Sequence, residues 1–108
     1  MMNRQLFIDR LRAWAARADN EVAESKGTSK HTWQGQADVL RATASVVASG
    51  SGINNDPATL RTQLIADRQK SLTVWEHEAN PKAIAEHSGE VAAYDLILTL
   101  LNDVDLRW

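Results

Sequence analysis

Apolar residues recur along most of this chain at steps of three and four, the spacing that lines side chains along one face of an α-helix. Phe7, Leu11, Trp14, Ala18 and Val22 mark a first helix from about residue 3 to 25. Gly27 follows, where a left-handed C-terminal cap would close it. Trp33, Ala37, Leu40, Ala44 and Val47 mark a second helix over about 29–49, with Thr28 or Ser29 available to cap it. The stretch "GSGINND" (50–56) is the clearest loop. Asp56-Pro57 then offers an N-cap and a first-turn proline for a third helix over about 57–79, carrying Leu60, Leu64, Ile65, Leu72, Trp75 and Ala79. Asn80-Pro81 repeats that punctuation and opens a fourth helix over about 81–102, although one helix kinked at Pro81 is an alternative. No alternating β-branched run signals a strand.

Four amphipathic helices with short connections predict a single all-α domain spanning 1–108, built as an antiparallel bundle or as two packed helical hairpins. Trp14, Trp33 and Trp75, one on each of three stripes, are expected in the core. Gly35 and Gly89 can be aligned, and Ala37, Leu40 and Val47 then match Val91, Tyr94 and Leu101. Any two amphipathic helices would match about as well, so the sequence does not establish a repeat.

The fourth helix departs from the one-stripe pattern. Ile84, His87, Val91, Tyr94, Leu98 and Leu101 form one apolar stripe, while Ala93, Leu96, Leu100 and in part Ile97 form a second. A surface helix ordinarily carries one stripe. This helix is therefore either central to the fold or covered by another chain, and the second stripe is read as an interface: Ala93, Leu96, Ile97 and Leu100 face a second copy. Gly89, in the first third of the same helix, costs about 1 kcal/mol relative to alanine unless a close helix crossing uses it.

Composition narrows the chemistry. Cysteine is absent, which removes disulfides, thiolate nucleophiles and zinc knuckles. Twelve basic against fourteen acidic residues give a net charge of −2, a poor footprint for duplex DNA. The N-terminal stretch acquires charges too early for a signal peptide, no run approaches a membrane span, and a cytoplasmic protein is expected.

No catalytic constellation emerges. His31 and His77 fall on polar faces, and His87 lies on the apolar stripe, as a partly buried histidine with one hydrogen-bond partner would. The histidines and glutamates of "WEHEANPKAIAEH" are divided by the Asn-Pro turn and lack HExxH spacing. "EVAE" (21–24) resembles half of the ExxE…ExxD magnesium-binding pattern of all-helical nucleotide pyrophosphohydrolases; the other half is missing, because Glu90 is followed by Asp95. No enzymatic activity, metal or cofactor is expected. Arg10 and Arg17 share a face of the first helix and are the candidates for nucleic-acid binding, with Glu21 and Glu24 near enough to Arg17 to pair with it.

"HSGEVAAYDLILTLL" (87–101), preceded by "WEHEANPKAIAE", resembles a segment of short all-helical accessory proteins of bacteriophages and prophages. There an alanine-rich helix opens with a small residue and Gly-Glu or Gly-Gln, continues through Ala-Tyr, and ends rich in leucine. The resemblance covers about the last third of the chain. It implies a setting in a bacterial host cell and a stoichiometric binder that inhibits or modulates a host defence protein. The expected function is therefore a non-enzymatic protein-binding module, homodimeric and engaging an unidentified host protein; the alternative is a nucleic-acid or nucleotide-binding accessory protein.

Overall fold

A computed structural model of the chain describes residues 2–49, 56–102 and 106–107. The four helices are α1 (Arg4–Glu24), α2 (Thr28–Ser49), α3 (Pro57–His77) and α4 (Pro81–Leu101). The loop reading of 50–55, and any role for Asp103, Asp105 or Trp108, lie outside the described residues.

Three helix starts follow directly from local chemistry. The side chains of Asn3, Asp56 and Asn80 accept hydrogen bonds from the backbone N–H groups of Leu6, Thr59 and Lys82, each at 2.9 Å. Each satisfies one of the donors that a helix N-terminus leaves open. Asp56 also accepts from the Thr59 hydroxyl at 2.7 Å, and these bonds hold its carboxyl below the usual carboxylate range. α2 begins at Thr28 itself, so Thr28 and Ser29 lie inside the helix that either was expected to cap from outside. α1 ends at Glu24 with Ser25, in extended backbone, as its C-cap, so Gly27 does not cap the helix as expected; with φ +64° it makes the left-handed turn that leads into α2. α3 and α4 are separate helices: α3 stops at His77, and Glu78 accepts from the Ala79 and Asn80 N–H groups to shape the turn before Pro81.

α1 and α2 form one hairpin, α3 and α4 the other, and the hairpins join principally through α2 and α4. Gly35 and Gly89 sit at that crossing. A Cβ placed on Gly35 would strike the Glu86 carbonyl, and one on Gly89 would strike the Thr32 carbonyl. The contacts are reciprocal: each glycine rests against the carbonyl three residues before the other. Only glycine lets two backbones approach this closely.

The hairpins repeat one another in outline. Shifting the bounds of α1 by 53 gives those of α3, and the same shift carries the N-cap Asn3 to Asp56. In the inner helices the matching shift is 54: Gly35, Ala37, Val39, Thr43 and Val47 are buried, as are Gly89, Val91, Ala93, Ile97 and Leu101. The alignment that sequence left open thus holds for the burial of these five pairs, while Leu40 is buried where its counterpart Tyr94 is half-buried.

The core gathers Phe7, Leu11, Leu40, Val47, Leu60 and Ile97, all buried, where the inner helices meet the outer ones. Trp14, Trp33 and Trp75 are each only half-buried, and Trp14 packs on the core's edge. α3 contributes least: Leu60 and Leu64 are buried, whereas Ile65 of its expected stripe is exposed.

Two features carried no signal in the sequence. Met2–Asn3 (β1) pairs in parallel with Leu106–Arg107 (β2), a strand contact with no sequence signal, and it delivers Leu106 to the core. Arg4 reaches across the first hairpin to the last carbonyls of α2, donating to Val47 O through Nε at 3.1 Å and Nη2 at 2.9 Å. Its cation thus sits on open acceptors at the negative end of the helix dipole.

Candidate functional site

The second apolar stripe of α4 does not lie on the outside as a unit. Ala93 and Ile97 are completely buried in the chain's own core. The reading of these two residues as interface is corrected: α4 is an inner helix, with α2 and α3 packed on it, and that covers more than one of its faces. Leu96 and Leu100 remain at the surface, Leu96 exposed and Leu100 half-buried. With Trp14 of α1 and Ala92, Asp95 and Thr99 of α4, they line an open groove of about 640 Å³. Arg10 holds its guanidinium over the Trp14 ring, 5.9 Å from the centroid, and brings a positive charge to the same aromatic side chain. Asp95 is neutralised by Arg68, whose Nε donates to it at 2.7 Å.

A second groove, of about 500 Å³, opens among α2, α3 and α4. It is the counterpart of the first in the repeat. Where the first has Trp14, Ala92, Leu96 and Leu100, the second has Asp67, Asp38, Ala42 and Val46. The scaffold is shared and the chemistry differs, apolar in one groove and acidic in the other.

A chain of polar side chains runs into the acidic groove. His87 Nδ1 lies 2.7 Å from Glu90 Oε1 on the next turn of α4, with about a quarter of each side chain exposed. A carboxylate only accepts, so His87 carries the proton on Nδ1. Ser71 of α3 also donates to Glu90, at 3.5 Å. Gln63 donates to Asp67 at 3.0 Å. Tyr94, half-buried in the same groove, has its phenol pushed upward, first by burial and then by the charges of Asp67 and Glu90. Thr43 lines the same groove at 7% exposure, and among the described residues its hydroxyl has no hydrogen-bond partner. An unpaired buried hydroxyl costs about 1–3 kcal/mol. Its counterpart in the other half is Ile97, which costs nothing of that kind.

Among the three histidines, His87 has the single partner and partial burial read from its position, and His77 is exposed; His31 is half-buried rather than turned to solvent. Among the described residues no three His, Asp or Glu side chains converge as a metal site would require, Glu21 and Glu24 included. Arg10 and Arg17 are both exposed, and Arg17 pairs with neither Glu21 nor Glu24. The ion pair that ties α1 to α2 is Arg41 with Asp19, and Arg41 also reaches Asp38 at 3.1 Å. Among the described residues no helix is long and apolar enough to cross a membrane.

The polar groove escaped sequence reading because Thr43, Asp67, Glu90 and Tyr94 come from three helices and share no local spacing. Only the His87–Glu90 pair, three residues apart, had a signal within one helix. No family model, curated protein or solved structure matches the chain.

Proposed function

We propose that this chain is a non-enzymatic protein-binding module that engages apolar side chains of its partners in the groove between α1 and α4. The observation that carries the reading is the placement of Trp14, Leu96 and Leu100 around an open hollow instead of inside the core. An aromatic wall beside exposed leucine is the usual anchor site for a helix docking by its apolar face. The first partner is a second copy of the chain, since Leu96 stands on one wall and can enter the hollow of a two-fold mate. Its 37% residual exposure leaves about a third of a leucine to bury, on the order of 0.5–1 kcal/mol, so the dimer is weak and exchangeable. A second protein with a better-matched apolar helix displaces it.

In its cellular setting, the module acts as a phage or mobile-element accessory protein in the cytoplasm of a bacterial host, occupying a host defence protein stoichiometrically. The resemblance of residues 87–101 to such proteins supports this reading. Light scattering over a concentration series provides the test. The wild type associates reversibly, and Leu96→Glu, altered at an exposed position, keeps its helical content and is monomeric at every concentration. A wild type that stays monomeric at millimolar concentration removes the second copy as a partner. Arg10 and Arg17, exposed on α1, support the alternative of nucleic-acid binding; salt-sensitive retention on a nucleic-acid column, lost in Arg10→Ala with Arg17→Ala, would favour it.

A further inference from the structure

We infer that the acidic groove among α2, α3 and α4 binds an organic cation, an ammonium or guanidinium group carried on an apolar arm. The carboxylates of Asp67 and Glu90 supply the charge complement. Among the described residues, Asp67 accepts from the Gln63 amide and Glu90 from His87 and Ser71, and neither meets a lysine or an arginine. Tyr94 lines the same groove, and an aromatic face attracts a cation that the acids hold nearby. Leu60, Leu64 and Val46 supply apolar wall for the arm.

Acidic side chains at a surface are not enough to define a site. Thr43 adds a groove-lining side chain, more than nine-tenths buried, whose hydroxyl is left without a partner among the described residues. Buried polar atoms in folded proteins are nearly always paired. A ligand N–H entering the groove supplies the missing bond, whereas the other half of the repeat places Ile97 at the equivalent position and presents an apolar groove. The cation is broad and directional, not a bare metal ion, because the carboxylates do not converge with a third ligand among the described residues.

The cation has two possible sources with the same chemistry: a free aliphatic amine, or a lysine or arginine side chain on a partner's helix. Amide chemical-shift titration distinguishes them with four probes: n-hexylammonium, the isosteric n-hexanol, hexanoate, and an amphipathic helical peptide with one central lysine. Hexylammonium is expected to shift Thr43, Asp67, Glu90 and Tyr94 and to bind about tenfold more tightly than hexanol, with hexanoate silent. Asp67→Asn and Glu90→Gln each weaken it several-fold. Thr43→Val, close in volume and safe for the fold, weakens it while leaving hexanol unchanged. A peptide that binds far more tightly than hexylammonium, and loses that advantage when its lysine becomes norleucine, assigns the site to a protein side chain. Equal affinities assign it to a free amine. Hexanol binding as well as hexylammonium, shifts confined to the Trp14 groove, or no response to any cationic probe at 10 mM overturns the proposal.

Discussion

Replacing Gly89 by alanine should destabilise this protein, although helix propensity alone favours the change by about 1 kcal/mol. The opposing term comes from the crossing. The new Cβ would lie well under 3.0 Å from the Thr32 carbonyl oxygen, a backbone atom that cannot rotate away. Ordinary contact is 3.4–4 Å, so α2 and α4 must part. A gap of roughly 0.5–1 Å already forfeits a quarter to a half of each dispersion contact along such a seam. Overpacking of this kind costs about 1–3 kcal/mol, and the upper end applies because neither the methyl, fixed to its Cα, nor the backbone carbonyl can rotate away. A net loss of about 2 kcal/mol remains, a drop in Tm of roughly 10 °C for a domain of this size. Urea and thermal denaturation followed by helical circular dichroism measure it. Gly35→Ala should behave alike, and the double variant should lose less than the sum, since a seam already opened admits the second methyl cheaply. Gly27→Ala is the control. It strains a left-handed residue with nothing within 4 Å and leaves the seam intact, costing about 1 kcal/mol. A Gly89→Ala protein more stable than wild type would refute the close crossing.

Other consequences can be measured in the same way. Leu40→Ala, at a position with no exposure, should cost about 2–5 kcal/mol, whereas Ile65→Ala, half exposed on α3, should change stability by no more than about 0.5 kcal/mol. Thr43→Val should raise stability by about 1 kcal/mol in urea denaturation, because it removes an unpaired hydroxyl at nearly constant volume. Tyr94 ionises less readily in the fold than in the unfolded chain. Its stabilising effect is therefore complete below the ordinary phenol range and is lost as pH rises above about 10, and Tyr94→Phe should flatten that part of the stability–pH curve. Asp56 has the opposite sign: its cap is in force above the usual carboxylate range and weakens as pH falls through it, a dependence that Asp56→Asn should abolish.

Helix placement was legible because its determinants are local. Asn3, Asp56 and Asn80 cap where the adjacent chain requires an acceptor, Gly27 takes the left-handed turn, and the two prolines mark first turns. The assignment of faces was legible only for α1 and α2. On α4 the surplus of apolar residues had two explanations, a partner chain or a central position, and periodicity cannot separate them. Packing by α2 and α3 decides it for Ala93 and Ile97, which lie in the core, and leaves Leu96 and Leu100 at the surface. α3 misled in the other direction: as an outer helix packed chiefly on one neighbour, it leaves Ile65 and Val74 exposed. Leu106 and the β1–β2 contact lie in two-residue segments too short to show any alternation.

Protein binding through the Trp14 groove is tested most directly at Trp14 itself. The indole N–H resonance of Trp14, assigned with a Trp14→Phe variant, should move as protein concentration rises, and its displacement should track the associated fraction from light scattering. In Leu96→Glu it should stay at the position seen in dilute wild type. A wild type that associates while the Trp14 indole resonance remains fixed would place the interface elsewhere and contradict the account.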